Sequence, residues 1–108
     1  MTEDELNGLV SVVDGIFASA WCDSSGIVEG RSSGFDADVP CAVAAVSSSQ
    51  LQELGKSLKA GPLLDWAITT STTNVYVVHR GAAALVAVGP SDDKAPTTAE
   101  KIALALKV

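Results

Sequence analysis

The stretch Leu9-Val10-Ser11-Val12-Val13-Asp14-Gly15-Ile16-Phe17-Ala18-Ser19-Ala20-Trp21-Cys22-Asp23-Ser24-Ser25-Gly26-Ile27-Val28 changes its apolar period midway, and that change decides the fold. Leu6, Leu9, Val10 and Val13 recur at i, i+3, i+4 and i+7, the spacing of one helix face. Ahead of them, Thr2-Glu3-Asp4-Glu5 has the S/T-x-x-E form of a capping box. Asp14-Gly15 ends this helix. From Ile16 to Asp23, residues Ile16, Ala18, Ala20 and Cys22 alternate with Phe17, Ser19 and Trp21. Apolar side chains on both faces predict a strand covered on two sides. In Asp23-Ser24-Ser25-Gly26, short polar side chains that bond nearby backbone precede a glycine free to take positive φ, as a tight hairpin turn requires. The turn leads into a short strand, Ile27–Arg31, expected at a sheet edge.

Ser32 to Asp38 reads as a loop, and Val39-Pro40 opens a long helix that runs to about Ala60, since proline suits a first helical turn. Leu51, Leu54 and Leu58 form a stripe extending back through Ser47 and Ala44, the expected packing side. Gly61-Pro62 supplies the stop. Leu63–Ser71 alternates as a strand, Thr72-Thr73-Asn74 turns the chain, and Val75–His79 is rich in β-branched residues. Arg80-Gly81 turns again into Ala82–Val88, and Gly89–Pro96 reads as an exposed loop. Thr97-Thr98-Ala99-Glu100 has the form of a second capping box, and Ala99, Ile102, Ala103 and Leu106 give the closing helix its apolar face. The order is α-β-β-α-β-β-β-α: an α+β protein with a five-stranded antiparallel sheet and helices on both faces.

A chain of 108 residues suits one domain, expected to span 1–108. Its composition, 47% hydrophobic and 19% charged, predicts a folded chain. Much of the apolar share is Ala and Val, which suits close packing and a buried subunit interface. Net charge is -6, and the seven Lys and Arg are scattered, so nucleic acid is excluded as a partner. No apolar run approaches the roughly 20 residues of a membrane span, and the opening is acidic, so a cytoplasmic protein without membrane insertion is expected. Cys22 and Cys41 are read as reduced, buried small hydrophobes.

Element order and local motifs together resemble the roadblock/LC7 family, the profilin-like domains of dynein light chains, lysosomal Ragulator subunits and bacterial regulators of the polarity GTPase. The opening Leu9–Val28 carries the most specific part: a helix, a Gly-led strand, a D-x-x-G-hydrophobic turn and a second strand. The resemblance covers nearly the whole chain. It implies a homodimer, or a heterodimer with a paralogous subunit, in which third strands pair edge to edge and long helices lie side by side as a platform. In this chain those elements are Leu64–Ser71 and Val39–Ala60, with Leu64, Trp66, Ile68 and Thr70 as interface candidates. Trp66 and Ile68 on a free edge invite aggregation unless another chain caps it. Ser49, Gln52, Glu53 and Lys56, away from the leucine stripe, are the candidate partner-binding face; a merely solvated face is the competing reading.

Catalytic signals are sparse. His79-Arg80 sits at a strand end, where a base or an arginine finger can be displayed, yet it is the only histidine and an ordinary strand-end role is expected. No phosphate-binding glycine loop is present, and Asp92-Asp93 reads as a solvated acidic loop rather than a calcium site. The chain is therefore expected to be no enzyme, with no catalytic residue, cofactor or metal. The implied function is a dimeric scaffold or regulator that binds a small GTPase and alters its nucleotide cycle or location. Alternatives are a dynein-light-chain-like motor or trafficking adaptor, a small-molecule sensor with a pocket near Trp21 or Trp66, and a thiol enzyme using Cys41 at a helix N-terminus.

Overall fold

The computed structural model describes residues 1–106; the end of the expected 1–108 domain lies outside the described residues. Helix α1 spans Glu3–Val12 and begins where the first capping box predicts. The Thr2 hydroxyl accepts the Glu5 N–H at 3.2 Å, and the Glu5 carboxylate accepts the Thr2 N–H at 3.0 Å. The bond from the Thr2 backbone N–H foremost, with the Thr2 side chain second, holds the Glu5 carboxyl below its ordinary pKa. Strands β1 (Ala18–Asp23) and β2 (Val28–Arg31) follow, joined by the expected turn. Asp23 Oδ1 accepts the N–H groups of Ser25 and Ile27 at 2.8 and 3.0 Å, and Gly26 takes φ +85°.

Helix α2 spans Asp38–Ser57, then come β3 (Asp65–Thr69), β4 (Thr73–Arg80), β5 (Ala83–Pro90) and α3 (Ala95–Ala105). The observed order is α-β-β-α-β-β-β-α among the described residues. The five strands form one antiparallel sheet in the order β2-β1-β5-β4-β3, with β2 and β3 at its edges.

Alternation along the strands divides the core in two. On one face, Tyr76, Val78, Leu85 and Ala87 meet Leu6, Leu9 and Val13 of the α1 segment and Ile102 of α3. On the other, Ala20, Cys22, Val77 and Val86 meet Cys41 and Ala44 of α2. The first face is filled by large side chains and the second by small ones.

Three expectations are corrected. Only part of the α2 stripe faces the sheet: Ala44 is buried and Leu51 half-buried, but Leu54 and Leu58 are 54% and 68% exposed. The buried residues of α2 are Cys41, Ala44 and Ser48, and the same helical phase continues through half-buried Leu51 and Gly55. A helix seated by small residues lies close to its sheet, so bulkier side chains are displaced outward. The second capping box also fails, because α3 starts at Ala95 with Lys94 as its N-cap and Pro96 in its first turn, which puts Thr97 and Thr98 inside the helix. Finally, the acidic loop is partly structural. Asp92 Oδ1 accepts the Lys94 N–H at 2.9 Å and the Asn74 side-chain amide at 3.2 Å, and that amide also reaches the Tyr76 hydroxyl.

Gly26 tests the seating of α2. A Cβ there would lie 2.9 Å from Ala42 Cα and from the Cys41 carbonyl oxygen, on a backbone already at positive φ. Gly26→Ala is expected to destabilise the fold by at least about 1 kcal/mol, from the left-handed backbone alone, read as a lower denaturation midpoint. An unchanged midpoint would show that α2 does not press on this turn.

Candidate functional site

Two features of the α2 side stand out, an apolar outer surface beside an open strand edge and a cleft beneath the helix. Val39, Val43, Val46, Leu54 and Leu58 follow one another at helical spacing and are 54–70% exposed. Next in the chain, Leu64 and Ile68 are 69% and 48% exposed. Scattered exposed apolar residues are ordinary, whereas an aligned set of this kind is a candidate interaction surface.

The interface candidates occupy different environments. Trp66 points toward α2, where its Nε1–H donates to Ser48 Oγ at 2.9 Å, and Ile68 shares that face. Thr70 lies just past β3 and is folded into the next turn. Its hydroxyl accepts the Thr73 N–H at 3.1 Å and donates to the Thr73 carbonyl at 2.9 Å. The backbone shows which residues offer the free edge. The His79 N–H donates to the Leu64 carbonyl and the Thr70 N–H to the Thr73 carbonyl, so even-numbered residues of β3 bond inward to β4. By alternation, the N–H and C=O groups of Asp65, Ala67 and Thr69 point away from the sheet. Sequence alternation identified the side chains but not this register.

Ser49, Gln52, Glu53 and Lys56 are all exposed and come together along one wall of the cleft. Gln52 Oε1 accepts the Leu63 N–H at 3.3 Å, and Glu53 and Lys56 pair at 3.3 Å. The cleft holds about 390 Å³ between α2, β4 and β5, and the β4–β5 turn closes one side. Its inner wall includes Val77, Val86, Cys22 and Cys41. The two cysteines correct the expectation of free thiols: they form a disulfide, with Cα atoms 6.1 Å apart, that joins β1 to the first turn of α2. Cys41 therefore offers no thiolate nucleophile in this state.

His79 also lines the cleft, and its Nε2 is buried without a hydrogen-bond partner among the described residues. Burial lowers its pKa, against a weaker opposing pull from the Asp65 carboxylate. Arg80 is not displayed as a finger. Its guanidinium donates to the His79 carbonyl at 2.8 Å and to Ala103 O at 3.5 Å, near the C-terminus of α3 where a cation is favoured. Among the described residues no group of three or more His, Cys, Asp or Glu is placed to hold a metal ion, and no helix is long and apolar enough to cross a membrane.

This arrangement, a five-stranded antiparallel sheet with α1 and α3 on one face and a long helix on the other, defines a profilin-like α+β protein. No protein-family model matches the chain, and no curated protein matches it. Solved structures share its fold. A roadblock/LC7 domain from Streptomyces avermitilis is 19% identical and superposes with a TM-score of 0.84, over 97% of this chain and 91% of that one. MglB of Myxococcus xanthus is 12% identical, with a TM-score of 0.75 over 97% and 85%. Profilin of Schizosaccharomyces pombe is 16% identical, with a TM-score of 0.68 over 96% and 91%. The chain has the roadblock/LC7 fold, as its sequence resemblance implies.

The half-buried imidazole gives a pH prediction. A histidine with a lowered folded pKa binds fewer protons folded than unfolded, so its contribution to stability falls as pH drops through the unfolded value near 6.5 toward the folded one. Below both values the loss is complete. The single imidazole should titrate below 6.5 by NMR, and His79→Gln should flatten the stability slope in that window. A midpoint at or above 6.5 would contradict the burial.

Proposed function

We propose that this chain is a noncatalytic roadblock/LC7-family scaffold that dimerises, with itself or a paralogous subunit, and binds a small GTPase to tune its nucleotide cycle or location. The observation that carries this proposal is the aligned apolar row on the outer face of α2, a helix that reaches the edge strand β3 through the Trp66–Ser48 hydrogen bond. A row of exposed Val and Leu on a 20-residue helix costs solubility unless another chain covers it. Side-by-side α2 helices would bury the row, and paired β3 strands would satisfy the outward groups of Asp65, Ala67 and Thr69. Leu64 and Ile68 would flank that seam, while Trp66 and Thr70 would support it from within.

Association among proteins of this fold is consistent with an MglB structure described as having a tetrameric arrangement, 18% identical with a TM-score of 0.76. GTPase binding rests on the sequence resemblance, with Ser49, Gln52, Glu53 and Lys56 as the proposed contact face. A motor or trafficking adaptor would use the same dimer. Small-molecule sensing has one observation of its own, the cleft carrying the unpartnered His79 Nε2.

Sedimentation equilibrium at micromolar concentration should give twice the monomer mass. Val46→Glu should weaken association by about 2 kcal/mol or more, the burial value of one such side chain, which is a roughly thirtyfold rise in Kd. A wild-type monomer that also fails to form a mixed dimer would overturn the dimer. For the partner, small GTPases loaded with GDP or a nonhydrolysable GTP analogue should be retained by the immobilised chain in one state more than the other. Equal, background retention in both states would defeat GTPase binding.

A further inference from the structure

α2 has few strong holds on the sheet. Its buried side chains, Cys41, Ala44 and Ser48, remove little apolar surface from water compared with Leu6, Leu9 and Ile102 on the opposite face. Besides the Trp66–Ser48 and Gln52–Leu63 hydrogen bonds, the covalent tie is Cys22–Cys41. That tie sits at the helix's first turn, where the backbone of Cys41 and Ala42 presses on Gly26. The two cysteines are 2% and 1% exposed, yet both line the cleft of about 390 Å³ that opens beside α2. That cleft is the opening the structure shows next to the disulfide. A disulfide's exchange rate depends on access as well as on thiol chemistry.

We propose that Cys22–Cys41 is a thiol-exchange site, reached by low-molecular-weight thiols through this cleft, and that its reduction loosens α2 from the sheet. The chemistry is balanced by two equivalents of thiol. The first thiolate attacks one cysteine sulfur; a mixed disulfide forms, the Cys22–Cys41 bond breaks, and the other cysteine leaves as a thiolate that takes up a proton. A second thiolate attacks the mixed disulfide, releasing the second cysteine, likewise protonated, and the small-molecule disulfide. Two electrons pass from the thiols to the protein.

Because α2 carries the apolar outer row, its release alters the surface on which dimerisation is proposed. That consequence rests on the dimer proposal, whereas reduction and helix loosening do not. The test uses the whole chain, oxidised with glutathione disulfide and then treated with 2-mercaptoethanol or, separately, with the bulkier glutathione. Mass spectrometry after alkylation reads the reduction rate for native and denatured protein, and hydrogen exchange reads α2 against β4 and β5.

Reduction should proceed without loss of β4 and β5 protection, and α2 amides should then exchange at least about tenfold faster. The Cys22→Ser/Cys41→Ser variant should show the same fast α2 exchange. The ratio of native to denatured rate should be at least about tenfold higher for 2-mercaptoethanol than for glutathione, as access limited by the cleft requires. Failure of the pair to oxidise, equal rate ratios for the two thiols, or unchanged α2 exchange after reduction would each overturn the proposal. A chain that meets these expectations yet sediments as a monomer in both states would instead defeat the dimer proposal alone.

Discussion

Close seating of α2 through small side chains is the constraint on which the rest of this structure depends. Cys41, Ala44 and Ser48 bring the helix near the sheet, and no large side chain of α2 is fully buried between them. Helical phase then does the rest. With the small residues inward, Val39, Val43, Val46, Leu54 and Leu58 are turned to solvent, and the helix ends more apolar outside than in. Reversing the phase would bury the large residues but push the helix off Gly26, whose missing Cβ permits the present approach.

The two sheet faces divide stability and exposure between them. α1 and α3 supply a conventional core, with Leu6, Ile102, Tyr76 and Leu85 fully or almost fully buried. Asn74, Tyr76 and Asp92 form a polar brace at the end of that core, which holds the loop leading into α3. The α2 face has less to hold it by burial, and the Cys22–Cys41 bond closes a loop for which chain entropy alone gives about 3 kcal/mol. The face that is least secured by packing is thus the one with the exposed apolar row, the open β3 edge and the cleft.

Much of this was legible in the sequence where the signal is local. Thr2 with Glu5, Asp23 with Gly26, and the alternating strands specify their elements through neighbours a few residues away, and their order specified the fold. The phase of α2 was legible only in part: Ala44 and Leu51 were placed inward, but Ala and Ser give a stripe with little hydropathic contrast, and Leu54 and Leu58 supply a misleading one. Thr97–Glu100 matched a cap pattern that Pro96 overrides by starting the helix earlier. The disulfide depends on bringing residues 19 apart together across β1 and α2, a non-local fact that two isolated cysteines do not reveal. Of the candidate site, Ser49, Gln52, Glu53 and Lys56, grouped by helical spacing, are all exposed and line the cleft. The outward groups of β3 depend on its register with β4, which alternation of side chains alone does not determine.

The central claim, that α2 and the β3 edge form an assembly surface, is tested most directly by residue-resolved hydrogen exchange over a dilution series. Protection of the Asp65, Ala67 and Thr69 amides should rise with protein concentration, while the inward-bonded amides of Trp66 and Ile68 remain protected throughout. Exchange of the three outward amides at an open-chain rate at every concentration, in the chain alone and mixed with a paralogous subunit, would contradict it.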